Sequence, residues 1–293
     1  MRGIRRLALA IARVAMFLLA WSNASRADAP LQAERASGNS GETATLGGRR
    51  VNIWRPPGHG AAPIIIFSHG FLGCPTQSKF LTQGLADAGY WVIAPQHADS
   101  MCAHHLSLPQ VPFIRPRDWS TATYRDRRDD IVAVIEALHH APAFAGKIDW
   151  SKLGLMGHSL GGYTVLGLAG GWPDWRIPGV KAVVALSPWC APFLTAPGGL
   201  DGISVPVEYQ GGTLDFGITP SVKRRGGCYD ATPAPAEFVE FRGAGHLAWT
   251  DLVARDHADM IFYARAFFDT WLLGQSGDEL RIRRSDVADL WVK

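Results

Sequence analysis

The stretch Lys152-Leu153-Gly154-Leu155-Met156-Gly157-His158-Ser159-Leu160-Gly161-Gly162 governs how the rest of the chain is read. An apolar run stops abruptly at Gly157-His158-Ser159-Leu160-Gly161, and a small-residue, apolar helix pattern follows at once. That order reads as a strand, a sharp turn and a helix, with Ser159 at the apex. A residue at such an apex takes strained backbone angles, and Gly157 and Gly161 remove the side chains that would clash around it. Leu160 opens the helix, so its N–H has no partner within the helix and is free to face a developing oxyanion. A glycine-rich turn that merely contains a serine has the same five residues, so the context must decide.

A serine nucleophile needs a base to take its proton and an acid to orient that base. On this kind of elbow the partners follow in the order Ser, acid, His. Of the ten histidines, only His246 and His257 lie beyond Ser159. His246 follows the alternating pattern Glu237-Phe238-Val239-Glu240-Phe241 and a glycine loop, the place for a catalytic base at the end of a strand. His257 stands at the head of an amphipathic helix and reads as structural. Seven acids separate Ser159 from His246: Asp174, Asp201, Glu208, Asp215, Asp230, Glu237 and Glu240. Glu208, Glu237 and Glu240 fall within strand patterns and read as solvent-facing alternates. Asp215 follows the strand Val205–Gln210 and the turn Gly211-Gly212-Thr213, which makes it the acid at the expected strand end. An ordinary turn aspartate is the competing reading.

A second oxyanion donor is expected from the loop after an earlier strand. Pro63-Ile64-Ile65-Ile66-Phe67 is a continuous apolar run, as a strand covered on both faces requires, and it ends in Ser68-His69-Gly70-Phe71-Leu72-Gly73. The Phe71 N–H is the expected partner of the Leu160 N–H. His69 precedes the nucleophile and reads as a brace for this loop, not as a base.

These residues resemble the α/β-hydrolases. Within them the chain is similar to bacterial dienelactone-hydrolase-like and platelet-activating-factor-acetylhydrolase-like serine esterases, neighbours of bacterial cutinases and polyester hydrolases. The matching segments are Phe67–Phe71, Gly89–Pro95, Gly157–Tyr163, Ser187-Pro188-Trp189, Gly211–Asp215 and Gly243–His246. The resemblance implies a triad of Ser159, Asp215 and His246, an oxyanion hole of the Phe71 and Leu160 amides, and no metal or cofactor. True dienelactone hydrolases carry cysteine where this chain has Ser159, so dienelactone itself is a poor substrate candidate. If the strand order also follows the family, Cys74 and Cys102 lie after adjacent strands, as do Cys190 and Cys228. Those two pairs are favoured, with other pairings and free thiols left open. The metal reading of Cys102-Ala103-His104-His105 lacks a second ligand pair, and His97 with these histidines reads as polar loop.

The remaining pattern alternates strands and helices, as a mostly parallel sheet with helices on both faces requires. Arg50–Trp54 and Tyr90–Pro95 read as strands, Thr76–Ala88 as the first helix, and Asp129–His140 as an amphipathic helix with Ile131, Val134, Ile135 and Leu138 on one face. Val180–Leu186 gives the strand after the nucleophile helix and His257–Leu273 a closing helix. Residues 28–293 form one expected domain. Only residues 188–204 separate two strands where many relatives insert a helical cap, so no large cap and an open site are expected. The insertion Ala98–Thr123, with Phe113 and Trp119, is a candidate wall; Trp189, just past a strand end, is a candidate stacking surface or plain rim packing. Phe71 is the other apolar wall residue.

Residues 1–27 read as an export signal: Arg2, Arg5 and Arg6 precede the apolar stretch Val14–Ala20 and the small residues around Ser25-Arg26-Ala27. The Arg5-Arg6 pair hints at the twin-arginine route, and Arg13 argues against a stable membrane anchor. The full chain is net +3, but five arginines and no acid lie in residues 1–27, so the remainder is net −2. The basic balance therefore carries no nucleic-acid signal, and Lys223-Arg224-Arg225 reads as a solvated loop. Four cysteines in an exported chain favour disulfides. The expectation is an exported, periplasmic or secreted, monomeric serine esterase acting on a small-molecule or polymeric ester. A cutinase-type polyester hydrolase, a peptidase or amidase, and a non-catalytic binding protein are the alternatives.

Overall fold

The computed structural model describes residues 41–103, 106, 111, 113–196 and 199–293. The expected signal segment and His104, His105, Pro109 and Pro112 lie outside the described residues. The strands are β1 (Glu42–Leu46), β2 (Arg49–Trp54), β3 (Ala62–Ser68), β4 (Trp91–Pro95), β5 (Ile148–His158), β6 (Val180–Leu186), β7 (Val207–Gly212), β8 (Ala236–Phe241) and β9 (Val287–Val292). They make one sheet in the order β1-β2-β4-β3-β5-β6-β7-β8-β9. The block from β4 to β8 is parallel, and the edge pairs β1–β2, β2–β4 and β8–β9 are antiparallel. The helices are α1 (Lys79–Asp87), α2 (Arg125–His140), α3 (Leu160–Leu166), α4 (Thr219–Lys223), α5 (Cys228–Ala231) and α6 (His257–Leu273). This is the α/β-hydrolase fold.

The continuous apolar runs predicted buried strands because helices cover both faces. One core holds Leu81 and Leu85 of α1 with Phe267 and Phe268 of α6; the other holds Ile131, Val134 and Leu138 of α2 with Tyr163 of α3. Between β6 and β7 the described residues form only short 3-10 turns, Ala191–Leu194 and Gly199–Gly202, and no cap. Among the described residues, no helix is long and apolar enough to cross a membrane.

Three expectations need correction. α2 starts four residues before the expected position, because its first turns bury Arg127 and Asp130, polar residues that an apolar pattern does not register. Glu208, Glu237 and Glu240 do not face solvent; all three are buried. β9 pairs with β8, and α6 packs over β7, its Met260 carbonyl accepting a bond from Gln210. Glu208 and Glu237 are register partners on this covered face, and burial pushes the Glu208 carboxyl well up and that of Glu237 to about 8. On the other face Lys223 bridges Glu240 (2.6 Å) and Asp289 (2.5 Å), so it is an ion-pair member and not part of a solvated run.

The cysteines pair as Cys74–Cys102 and Cys190–Cys228. Cys74 lies three residues beyond Phe71 and Cys190 immediately follows Trp189, so each bridge staples a loop at the carboxyl ends of the strands. In the chain-entropy account, loops of this length contribute about 3.5–4 kcal/mol per bridge.

Candidate active site

Ser159 sits between β5 and α3 with φ 55° and ψ −114°, a conformation that L-residues avoid. The strain is held by close packing around it. A Cβ on Gly157 would lie 2.3 Å from the Gly161 carbonyl oxygen, and one on Gly161 would lie 1.9 Å from the Ser68 carbonyl oxygen. The two glycines of the pentapeptide are therefore required by the approach of other backbone, not by their own angles. Ser159 N–H donates to the Leu186 carbonyl (2.9 Å), and its carbonyl accepts from Trp189 N–H (2.9 Å), which ties the elbow to the end of β6.

Ser159, His246 and Asp215 come together from β5, the loop after β8 and the loop after β7. His246 Nε2 stands 2.9 Å from Ser159 Oγ. On the other side of the ring, Nδ1 is 3.3 Å from Asp215 Oδ1 and closer, 2.8 Å, to the hydroxyl of Ser187. Ser187 in turn lies 2.5 Å from Asp215 Oδ2. One proton arrangement satisfies every partner: Ser159 Oγ–H donates to Nε2, Nδ1–H donates to Ser187 Oγ, and the Ser187 proton goes to Asp215. Ser187 was not foreseen. It lies at the end of β6 with φ 42°, and the β6–β7 register Leu186↔Gln210 sets the end of β6 beside the turn that leads to Asp215.

Asp215 is buried and also accepts from Thr219 Oγ1 (3.0 Å). Burial opposes its ionisation, but the bonds from His246, Ser187 and Thr219 outweigh it and hold the carboxyl below its usual range. His257 stacks on Phe80 with ring centroids 3.4 Å apart, remote from this cluster in its contacts.

The Leu160 N–H opens α3 and so lacks an i−4 acceptor; among the described residues no hydrogen bond reaches it or the Phe71 N–H. The direction of the Phe71 N–H is set through its own peptide, because in a planar trans peptide it points away from the Gly70 carbonyl. That carbonyl accepts from Arg127 Nη2 (3.2 Å), His69 Nδ1 (2.8 Å) and Gly73 N (2.9 Å). His69 thus makes the bracing bond expected of it, and burial followed by the Arg127 charge holds its pKa well below the usual value.

Arg127 is fully buried and ties this loop to Asp99 (2.8 and 2.9 Å) and to the His69 carbonyl (2.7 Å). Beside it lies a second array of the same residue types. Ser68 Oγ stands 2.9 Å from His97 Nε2, and His97 Nδ1 stands 2.9 Å from Asp130 Oδ2. His97 is buried and is not the polar loop residue its sequence context suggests.

The expected walls are arranged differently from the sequence reading. Phe113 of the insertion packs between Phe71 (5.2 Å) and Trp189 (5.6 Å). Trp119 lies behind it, 5 % exposed, against Tyr124 and Tyr163. Phe71 and Trp189 are half-buried and Trp119 is core. Leu214 and Phe216 flank Asp215 in the chain and Leu247 follows His246, and all three are exposed.

No family model matches the chain. Over 198 residues it is 28% identical to cutinase est2 of Thermobifida alba, a similarity that takes in 67% of this chain and 56% of that relative, little more than half its length.

Proposed function

We propose that the chain is a serine hydrolase that cleaves carboxylic esters through an acyl-enzyme. The observation that carries the reading is the hydrogen-bonded series Ser159–His246–Ser187/Asp215 at a strained strand-to-helix apex, with two amides that have no partner among the described residues. Ser159 Oγ attacks the ester carbonyl while His246 Nε2 takes its proton. The Leu160 and Phe71 N–H groups receive the negative charge that develops on the carbonyl oxygen. His246 then delivers the proton to the leaving alcohol, a water repeats the sequence on the acyl-enzyme, and Ser159 is regenerated. Asp215 and Ser187 keep the imidazole proton on Nδ1, so that Nε2 is free to act as base.

The cutinase relative supports an ester over an amide as the substrate. Leu214, Phe216 and Leu247, exposed chain neighbours of Asp215 and His246, favour an apolar ester. With no cap among the described residues between β6 and β7, they extend the reading to polyesters. The two disulfides support export. Turnover of p-nitrophenyl esters from acetate to palmitate, with a polyester film alongside, tests the reading. Hydrolysis that disappears in Ser159→Ala supports it; a chain that hydrolyses none of them and takes up no organophosphonate is a binding protein, and the proposal fails.

A further inference from the structure

Three hydrogen bonds run in series through two side chains, Gln77 and His158, and link the loop after β3, the elbow and the loop that carries His246. Gly70 N–H donates to Gln77 Oε1 (2.9 Å), Gln77 Nε2 stands 2.9 Å from His158 Nδ1, and His158 Nε2 stands 2.9 Å from the His246 carbonyl oxygen. The partners fix every proton. A backbone N–H only donates, so the amide oxygen of Gln77 faces Gly70 and its NH2 faces His158. His158 Nδ1 then accepts, its Nε2 carries the ring proton, and that proton goes to a carbonyl that can only accept. The series needs a neutral imidazole, and burial, followed by the neighbouring His246 ring, holds the His158 pKa down to about 3.

The space is built for that carboxamide. The turn closes by a bond from Gly73 N to the Gly70 carbonyl (2.9 Å), and a Cβ on Gly73 would lie 2.0 Å from Gln77 Oε1. The Gln77 carbonyl also accepts from Asp251 N (2.9 Å), so its backbone holds the chain beyond His246 while its side chain holds the rest.

We propose that Gln77 is a positioning residue whose carboxamide, acting through His158, keeps the Phe71 amide, the Ser159 elbow and the His246 loop in one register. This rests on the serine-hydrolase reading above. The reacting groups come from three separate loops, and a misplacement of about 1 Å can cost about a hundredfold in rate. Gln77 touches none of the reacting atoms, so its effect belongs in turnover and not in substrate affinity.

Gln77→Leu removes both side-chain bonds; Gln77→Glu keeps an acceptor for Gly70 N–H and loses the donor to His158. On p-nitrophenyl butyrate the Leu variant is expected to lose about 10- to 100-fold in kcat with KM changed less than about twofold, and the Glu variant to fall between it and wild type. Phosphonate labelling of Ser159 should slow by the same factor as kcat/KM. In 15N-histidine-labelled wild-type protein, His158 should be the neutral Nε2–H tautomer from about pH 5 to about pH 9. An Nδ1–H tautomer or a cationic ring overturns the proposal whether or not either variant folds. An unchanged kcat in Gln77→Leu also overturns it, and a loss confined to KM makes Gln77 a substrate contact instead. If the wild-type protein neither hydrolyses esters nor takes up phosphonate, the reading of the site fails, while the tautomer result still decides the hydrogen-bond series.

Discussion

Among the described residues there are two Ser–His–Asp series with nearly the same spacings, and they differ in almost everything else. Ser159 and His246 meet at 2.9 Å, as do Ser68 and His97. Yet the His246 side chain is 35% exposed and that of His97 is fully buried, and Ser68 is fully buried beside the Arg127 guanidinium. Burial, then the Arg127 charge, lowers the His97 pKa, so this imidazole resists the proton a general base must accept. Ser68 ends a regular strand, whereas Ser159 is held at positive φ, and the Leu160 and Phe71 amides have no partner among the described residues. Hydrogen-bond order alone therefore does not make a nucleophile. In the proposed reading, access, an oxyanion site and the lowered pKa of His97 separate the reactive series from the bracing one.

The contrast breaks if the two series respond alike to mutation. Ser159→Ala is expected to cost about a millionfold in kcat on p-nitrophenyl esters. Ser68→Ala should lower the melting temperature and still permit phosphonate labelling at Ser159. Asp215→Asn should cost about ten-thousandfold, because an amide at that place favours the wrong imidazole tautomer. Asp130→Asn, the equivalent change in the buried series, should appear in urea unfolding more than in turnover. Ser187→Ala is a finer probe: it removes the closer of the two acceptors at His246 Nδ1 and one donor to a buried carboxylate. A hydrogen bond to a charged group is worth about 1.5–3 kcal/mol, so kcat should fall about 10- to 100-fold with KM little changed. A loss as deep as that of Asp215→Asn would make Ser187 a full member of the relay.

The smallest effect concerns stability away from the site. Glu237 has a folded pKa of about 8 against an ordinary 4.5, through burial, and Glu208 is shifted in the same direction. A raised folded pKa means that the stability present below the unfolded value is lost as pH climbs through the folded one. Between about pH 4.5 and about pH 8 the unfolded carboxyl ionises and the folded one does not, so stability should fall by up to about 1.4 kcal/mol per pH unit from this group. Asp215 and Asp130 are lowered and act in the opposite sense, with stability lost as pH drops below the ordinary aspartate range. Buried His69, His97 and His158, with lowered pKa values, raise stability with pH up to the ordinary histidine value of about 6.5. The test window is therefore about pH 7 to about pH 8, where urea midpoints should decline and Glu237→Gln should flatten the decline. A midpoint that rises over this window contradicts the buried, protonated state.

The sequence made the parallel strands and the elbow readable because their signals are local: apolar runs ending in glycine turns, and a pentapeptide whose spacing has a steric reason. The meeting of Asp215 and His246 with Ser159 was readable by chain order and by strand-end placement. The edge strands β1 and β9 were missed, since Glu42–Leu46 and Val287–Val292 mix polar and apolar residues without a buried run. Missing β9 and the reach of α6 is what left Glu208 and Glu237 as solvent-facing alternates. Ser187, Gln77 and Arg127 were invisible for a different reason. Each gains its role from partners 28, 81 and 58 positions away, and no spacing in the chain records which strands become neighbours.

Covalent labelling located by peptide mapping tests the central claim most directly. The protein treated with an organophosphonate should carry one adduct, on Ser159, with none on Ser68, and Ser159→Ala should remain unlabelled. An adduct on Ser68 or any other serine, or undiminished labelling of Ser159→Ala, would contradict the assignment of the reactive series.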